Sequence, residues 1–405
     1  MKVVEHSVGA ILGEEEIEAI RRVISSGQSL AWGPERTAFE EDFRAYCQAR
    51  HAIAVSSCTA ALHLCAQVLR LGPGDEVVCT PQSFQSTTLA LIARGVRVRF
   101  ADIDPKTLNI APDSIEGKIN ERTKAIYLVH HGGNPAAMDP IRKIAAAHDI
   151  PVVEDCAHAA GTEYRGQKIG AGDLCCFSFH SLKNMTTLGE GGMLTTNNDE
   201  WAAEAEALRT MGVIGETVDR GTDRIGPYAK PDFRVFDHAG ISWTQDYAGI
   251  EELGTHYRLS AVQAAVGRVQ LRKLDGFIAT RARVAQRYTE AIAEIPGLRP
   301  VKVAEDDKSA WHLYTCFVEL DSGVDRDRFA KYLDNERGVQ IILRFWPLHL
   351  SAEHRAEGHG FGESPICEKV WFEQQINLPI CAAMEDWEID TVIEALTDGM
   401  QECRA

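Results

Sequence analysis

A lysine in an apolar stretch is the side chain whose surroundings most clearly indicate chemical reactivity in this sequence. Lys183 lies in SFHSLKNMTTLGEGGM (178–193), after a predicted strand and before a glycine-rich run. Its neighbours include Leu182, Met185 and Leu188, and desolvation by such residues lowers the pKa of an amine and exposes a nucleophile. The glycines follow the lysine and lack the spacing of a phosphate-cradling Walker loop. The segment therefore favours a nucleophilic amine over a nucleotide-binding loop.

A second segment carries carboxylates to the end of an apolar run. PVVEDCAHAAG (151–161) places Glu154 and Asp155 at the end of a predicted strand, and His158 follows shortly after. A carboxylate in this position can stabilise a protonated ring nitrogen. Taken alone, Asp155 would equally well cap a helix, and His158 would equally well be a buried histidine with satisfied hydrogen bonds.

A third segment has the features of an anion site. In VSSCTAAL (55–62) a predicted strand passes into a helix at Ser57, Cys58 and Thr59, whose backbone N–H groups would bind an anion. The alternative is an ordinary helix cap by Ser57 or Thr59. An anion site, a strand-end carboxylate and a reactive lysine are together the three anchors that pyridoxal 5'-phosphate (PLP) requires. Their combination favours PLP chemistry over the three separate structural interpretations.

The pattern around these segments predicts how they are positioned. The predicted strands are AIAVS (52–56), EVVCT (76–80), VRVRFADI (97–104), KAIYLVH (124–130), PVVED (151–155) and LCCFSFH (174–180), and the predicted helices are 59–71, 85–94 and 140–148. This alternation predicts an α/β fold, in which a mainly parallel sheet carries helices on both faces and binds ligands at the carboxyl ends of its strands. A long helical section at 259–295, the segment WHLYTCFVEL (311–320) and a terminal helix at 386–402 suit a smaller α/β domain.

The bulk composition excludes several classes of function. A chain of 405 residues is long enough for two domains, which we place at 1–255 (an N-terminal arm and the large domain) and 256–405 (the small domain). The net charge of -17 argues against a nucleic-acid partner. No apolar run approaches the ~18 residues of a membrane helix, and the charged N-terminus lacks an export signal. We therefore expect a cytoplasmic protein without membrane contact.

The cysteines and histidines indicate neither disulfides nor a metal centre. The eleven cysteines include no CxxC pair, and such a set is typical of reduced, buried thiols. Neither an HExxH motif nor a Cys/His ladder is present, so the sequence predicts no metal site.

The chain resembles the PLP-dependent sugar and cyclitol aminotransferases of the DegT/StrS group, which have the aspartate-aminotransferase fold (fold type I). The resemblance covers nearly the whole length. It rests on WGPERTAFEEDFRAYC (32–47), SSCTAALHL (56–64), GDEVVCTPQSF (74–84), VEDCAHAAGTEYRG (153–166), SFHSLKNMTTLGEGGM (178–193), THYRLSAVQAAVGRVQL (255–271), FWPLHL (345–350) and INLPI (376–380). It implies a seven-stranded type of PLP-transferase sheet in the large domain and a homodimer with shared active sites.

The resemblance also implies a role for each site residue. Lys183 would carry PLP as a Schiff base and move the proton between the substrate and the cofactor. Asp155 would pair with the pyridinium nitrogen, and His158 would lie beside the ring. Lysine at this position favours transamination, because relatives with histidine there act as dehydratases. The cofactor phosphate would be held by Cys58, Thr59 and Ser178.

Two positions depart from the pattern of these relatives. Many of them stack an aromatic residue on the cofactor where this chain has Gln85, so either the preceding Phe84 stacks on the ring or the amide of Gln85 covers it. Relatives often have asparagine where His256 stands, reaching the cofactor phosphate of the neighbouring subunit. Arg258 and His349 are further candidates for substrate contact, with surface charge and turn packing as equally good interpretations.

The predicted activity is transfer of an amino group from glutamate (or glutamine) to a keto group of a nucleotide-linked deoxysugar. Three alternatives remain: a cyclitol (scyllo-inosose-type) aminotransferase, a PLP-binding regulator without turnover, and a sugar dehydratase. Residues 214–250, which carry Gly, Asp and Tyr without periodicity, are a candidate for shaping the acceptor site.

Overall fold

The computed structural model describes residue 3 and residues 8–31, 33–211, 237–238, 241–242 and 253–404. Its helices are α1 (Glu14–Ser25), α2 (Pro34–Cys47), α3 (Cys58–Val68), α4 (Ser86–Ile92), α5 (Pro112–Glu116), α6 (Met138–Ala147), α7 (Asp199–Leu208), α8 (Ala261–Ala293), α9 (Arg326–Asn335), α10 (Ala352–Ala356), α11 (Pro365–Glu373) and α12 (Asp386–Glu402). Its strands are β1 (His51–Val55), β2 (Glu76–Cys79), β3 (Arg97–Phe100), β4 (Thr123–Val129), β5 (Val152–Asp155), β6 (Glu163–Tyr164), β7 (Gln167–Lys168), β8 (Leu174–Ser178), β9 (Gly192–Thr196), β10 (Asp237–His238), β11 (Ile241–Ser242), β12 (Leu298–Pro300), β13 (Tyr314–Val318) and β14 (Gln375–Leu378). Apart from β10 and β11, the candidate acceptor segment 214–250 lies outside the described residues.

A seven-stranded sheet in the order β1-β9-β8-β5-β4-β2-β3 forms the centre of the fold. The pairs β2–β3, β2–β4, β4–β5 and β5–β8 are parallel. Strand β9 runs antiparallel to both of its neighbours, β1 and β8. The predicted α/β fold with a mainly parallel sheet is confirmed, with one antiparallel strand that the sequence pattern did not predict.

Both faces of the sheet are covered, as the continuous apolar strands require. Cys176 of β8 packs in the same cluster as the residues of α3, and its Sγ lies 3.3 Å from Sγ of Cys65. Its neighbours Cys175 and Phe177 belong to the cluster on the other face, with residues of α2 and α8. The alternating directions of side chains along a strand explain this division. All eleven cysteines are buried and reduced.

The long helix α8 joins this sheet to a second hydrophobic core. Ala264 and Leu274 in its first half pack with the large sheet. Val284 and Tyr288 in its second half pack with the three-stranded antiparallel sheet β12-β13-β14 and with α9 and α12. Because α8 contributes to both cores, the division into 1–255 and 256–405 remains a proposal. No helix among the described residues is long and apolar enough to cross a membrane.

Candidate active site

The predicted site residues follow strands that end at the same edge of the sheet. Strands β5 and β8 are parallel neighbours, so Asp155 and Ser178, the last residues of each, lie at this edge. Strand β1 runs in the same direction, because both β1 and β8 are antiparallel to β9. The turn after Val55 therefore brings the start of α3 to the edge as well.

Asp155 is held in place by two hydrogen bonds to its carboxylate. The backbone N–H of Ala157 donates to Oδ1 at 3.0 Å, and the hydroxyl of Thr87 donates to Oδ2 at 2.8 Å. The residue is only 4% exposed. Burial raises the pKa of Asp155 above its usual value, opposed by these hydrogen bonds and by the charge of Lys183. A protonated ring nitrogen would supply the positive partner that a buried carboxylate needs.

The start of α3 presents backbone N–H groups, as an anion site requires. Ser57 caps the helix, since its side chain accepts the N–H of Ala60 at 3.1 Å. The thiol of Cys58 points to the carbonyl of Cys176 at 3.3 Å, so Cys58 would serve an anion through its backbone. A Cβ on Gly192 would lie 2.7 Å from the nitrogen of Cys58, so only glycine allows β9 to approach this turn.

Two hydroxyls meet beside this helix start. Thr59 Oγ1 donates to Oγ of Ser86, at the beginning of α4, at 2.8 Å. Ser178 is buried, and its hydroxyl accepts the N–H of His180 at 3.4 Å. The structure therefore brings Thr59 and Ser86 together, and it places Ser178 at the start of the turn that leads to the lysine.

Lys183 stands in a turn that other parts of the chain support. Its N–H donates to the carbonyl of His180 at 2.8 Å. Burial raises the pKa values of Asp155 and Cys58 and lowers that of His158, and the positive charge of Lys183 opposes the first two shifts and adds to the third. The ammonium of Lys183 therefore acts on all three side chains. The N-terminal segment packs on this turn, because Gly9 donates its N–H to the carbonyl of Ser181 at 2.8 Å. A Cβ on Gly9 would lie 2.5 Å from the carbonyl oxygen of Lys183.

A wall of aromatic and imidazole rings surrounds His158. The ring of His158 stacks on His312, with centroids 4.5 Å apart, and on Phe345, with centroids 5.4 Å apart. His131 contacts His158 edge-on at 6.2 Å. Sequence reasoning missed His131, His312 and Phe345, because they come from three distant parts of the chain.

The histidine nitrogens fit the predicted cofactor. The Nδ1 atom of His158 accepts the N–H of Gly132 at 3.3 Å, so Nε2 carries the proton of the neutral ring. Nε2 is buried and has no hydrogen-bond partner among the described residues, and an oxygen on a bound ring would satisfy it. Burial and the charge of Lys183 keep the pKa of His158 well below its usual value, and burial lowers that of His131 to about 4. Both rings are therefore neutral at physiological pH.

The two candidates for covering the cofactor differ in their contacts. Phe84 is 56% exposed, and its ring meets Phe345 edge-on at 6.1 Å. Since Phe345 stacks on His158, Phe84 belongs to the same group of rings. Gln85 is exposed at the N-terminus of α4, where its carbonyl accepts the N–H of Leu89 at 3.0 Å. These contacts favour Phe84 as the stacking residue.

The three candidate substrate residues are not placed together. Arg258 forms a bridge with Val55 at the end of β1 and contacts Nε2 of His256 at 2.6 Å, so both belong to the site's edge. His349 is fully buried, and its Nε2 lies 2.9 Å from Oε1 of Glu368. The described contacts of His349 therefore support the packing interpretation.

The comparisons with known proteins agree with this geometry. Residues 10–397 match the DegT/DnrJ/EryC1/StrS aminotransferase family. The spore coat polysaccharide biosynthesis protein SpsC of Bacillus subtilis is 37% identical over 391 residues, which is 96% of this chain and 95% of SpsC.

Two solved structures show the same fold. DesV of S. venezuelae is 32% identical, with a TM-score of 0.82 over 96% of this chain and 95% of DesV. The pyridoxamine phosphate form of the putative sugar aminotransferase Spr1654 of Streptococcus pneumoniae is 25% identical, with a TM-score of 0.85 over 100% of this chain and 98% of Spr1654. The chain therefore belongs to the DegT/DnrJ/EryC1/StrS family of PLP-dependent aminotransferases.

Proposed function

We propose that the protein transfers an amino group from glutamate, or from glutamine, to a keto group of a nucleotide-linked deoxysugar. The observation that carries the transfer reaction is the group formed by Lys183, Asp155 and His158 at one edge of the sheet. The sugar acceptor is supported by the family, and by the relative SpsC, whose name refers to polysaccharide biosynthesis.

Each residue of this group has a separate task. PLP, when bound, supplies an electron sink for the negative charge that develops at the substrate carbon. The amine of Lys183 would hold the cofactor and would then move a proton between the substrate carbon and the cofactor. The hydrogen bonds that Thr87 and Ala157 donate to the carboxylate of Asp155 favour its ionised form, which would pair with the ring nitrogen. The Nε2–H of neutral His158 would donate to an oxygen on the cofactor ring and so orient the ring.

The remaining parts of the site bind and orient. The N–H groups at the start of α3 would bind the cofactor phosphate, and the hydroxyl of Thr59 would join them by turning away from Ser86. Arg344 directly precedes Phe345 of the ring wall, and it lines a small cavity together with His312. We assign to Arg344 the attraction of the donor's carboxylate, because a guanidinium binds planar carboxylates well.

We also propose that the protein acts as a homodimer with shared sites. At the mouth of the site, Phe84 is 56% exposed. Large apolar side chains beside a polar site are typical of surfaces that a partner covers. Light scattering should give twice the chain mass, and a fully active monomer would overturn this proposal.

The first test separates donor from acceptor. Glutamate, glutamine and alanine are each added to the PLP-loaded protein, and the conversion to the pyridoxamine phosphate form is followed by absorbance. The converted protein is then mixed with a nucleotide-linked keto-deoxysugar or with scyllo-inosose. Return of the PLP form with the sugar alone is the expected result. Return with the cyclitol alone would make the protein a cyclitol aminotransferase, and a deoxygenated product would make it a dehydratase. No conversion with any donor would favour a PLP-binding regulator.

A further inference from the structure

A second group of histidines lies away from the lysine, around the end of β3. The ring of Phe100 contacts three imidazoles, with centroid distances of 5.8 Å to His349, 4.9 Å to His354 and 5.1 Å to His359. In each of these histidines one ring nitrogen has a hydrogen-bond partner. The other nitrogen is buried and has no hydrogen-bond partner among the described residues. The aminotransferase reaction does not account for this arrangement.

The partners of His354 and His359 determine which nitrogen of each neutral ring carries the proton. The hydroxyl of Thr88 donates to the carbonyl of Gln85 at 3.3 Å, so its oxygen is left to accept from His354 Nε2 at 2.9 Å. His359 Nδ1 lies 2.8 Å from Oε2 of Glu363, and a carboxylate only accepts. The remaining nitrogens, Nδ1 of His354 and Nε2 of His359, therefore carry lone pairs.

The hydrogen-bond partners of these two imidazoles match those of metal-binding histidines. Metal-binding histidines commonly donate their second N–H to a carboxylate or another oxygen, which fixes the orientation of the ring. Thr88 and Glu363 occupy this position for the two histidines.

A carboxylate completes a set of three donors. Glu357 is exposed, and its ligand atom lies within 4.8 Å of those of His354 and His359. Tetrahedral Zn²⁺ with bonds of roughly 2.1 Å requires donor atoms roughly 3.3 Å apart. The exposed side chain of Glu357 can rotate towards the ion, and small shifts of the two rings would bring their nitrogens within the same distance. Two imidazoles with one carboxylate suit Zn²⁺ better than Mg²⁺ or Ca²⁺. We propose that His354, Glu357 and His359 bind one Zn²⁺ ion, with water as the fourth ligand.

In the other cluster of possible ligands, the histidine has no nitrogen lone pair left for a metal ion. It consists of His130, Glu154 and Cys156, all buried. His130 Nδ1 accepts the N–H of Ala136 at 3.0 Å, and its Nε2 lies 3.0 Å from Oε2 of Glu154. Both nitrogens of His130 are therefore engaged within the protein. This comparison singles out the site formed by His354, Glu357 and His359.

The ion would fasten the segment 351–364 to the large sheet. His354 reaches α4 through Thr88, and Asp102, just beyond β3, accepts the N–H groups of Ile366 at 2.8 Å and Cys367 at 2.9 Å. These contacts already hold both ends of the segment. A metal ion between His354 and His359 would hold the part between them, and binding to the folded state alone raises the melting temperature.

The test measures metal content and does not depend on activity. Untagged holoenzyme is dialysed against buffered micromolar Zn²⁺ without free PLP, and bound zinc is counted by mass spectrometry. The wild type is expected to hold one zinc per chain and to melt at a higher temperature with zinc than after treatment with a chelator. His359→Gln and Glu357→Gln should lose the ion and this shift. Glu363→Gln should bind about 10- to 100-fold more weakly.

Two controls keep the test specific. His148→Gln changes an exposed histidine at the end of α6 and should retain the ion. Because Glu357 is exposed, Glu357→Gln tests the site even where a histidine variant fails to fold. A wild type without zinc, or Glu357→Gln and His359→Gln variants that bind as the wild type does, would overturn the proposal. If Cys156→Ser were the only variant to lose zinc, the proposal would also be overturned, because the ion would then lie in the cluster of His130, Glu154 and Cys156.

Discussion

The hydroxyl of Thr87 is the contact whose removal tests the electrostatics of the site most sharply. It donates to Oδ2 of Asp155 at 2.8 Å, and both residues are buried. A hydrogen bond to a buried charged group contributes about 1.5–3 kcal/mol. At about 1.4 kcal/mol per pKa unit, Thr87→Val should raise the pKa of Asp155 by about one to two units.

The sign of the effect follows from the direction of the pKa shift. Burial already raises the pKa of Asp155 above its usual value, and the bond from Thr87 opposes that rise. Without the bond, protons compete for the carboxylate at higher pH, and the ionised form that pairs with the ring nitrogen is lost earlier as the pH falls. The acidic limb of the half-reaction with the amino donor should therefore move to higher pH by the same one to two units. Cofactor affinity should fall with it.

The assay is the rate of conversion by the amino donor as a function of pH, together with an absorbance titration of PLP. Thr195→Val is the matched control, because Thr195 is buried and its hydroxyl donates to the neutral carbonyl of Gly170 at 2.7 Å. It should lower the melting temperature without moving the pH profile, and Thr87→Ser should restore the wild-type profile. If Thr87→Val lowers only the melting temperature, as the control does, Thr87 does not tune Asp155 and the argument fails.

Three further predictions concern the turn, the ring wall and the core. Gly9→Ala should displace the N-terminal segment from the lysine turn and slow the half-reaction. Gly72→Ala is the control, because an added Cβ there meets nothing within 4 Å; equal rates in the two variants would show that the contact between Gly9 and the lysine turn is dispensable. His158→Phe keeps a ring between His312 and Phe345 but removes the Nε2–H donor. The half-reaction should then slow by about 2- to 10-fold, the equivalent of one neutral hydrogen bond, and an unchanged rate would contradict the orienting role of His158. Phe43→Ala should lower the free energy of unfolding by about 3–5 kcal/mol, because Phe43 is fully buried against Phe177 and Phe179. A decrease of less than about 1 kcal/mol in a denaturant titration would contradict this packing.

Much of the large sheet could be predicted from the sequence, because its strands are short apolar runs between amphipathic helices. Strands β5 and β8 end within two residues of the predicted ends, and α12 covers the predicted 386–402. Strand β9 was missed because GMLTT directly follows a glycine-rich turn, and nothing in these five residues shows that they pair with β8 and with β1, which is far away in sequence. Local patterns cannot reveal such pairings.

The site was predictable where chemistry and local pattern coincide. Lys183, Asp155 and the start of α3 each stand directly after an apolar run. Thr87 and His312 were missed because an ordinary threonine on a helix and a histidine before a strand carry no local signal; they reach the site only through the tertiary fold. The sequence predicted no metal site, and the proposal for His354, Glu357 and His359 comes from the structure alone, since their spacing matches no common metal-binding motif.

The most direct test of the central claim is the visible absorbance of the purified protein before and after addition of glutamate, in the wild type and in Lys183→Ala. The wild type should show the band of lysine-linked PLP, which glutamate or glutamine converts to that of the pyridoxamine phosphate form. Lys183→Ala should bind PLP without that band. A wild type that shows no such band with PLP present, or a Lys183→Ala variant that retains it, would contradict the assignment of Lys183 as the residue that carries the cofactor.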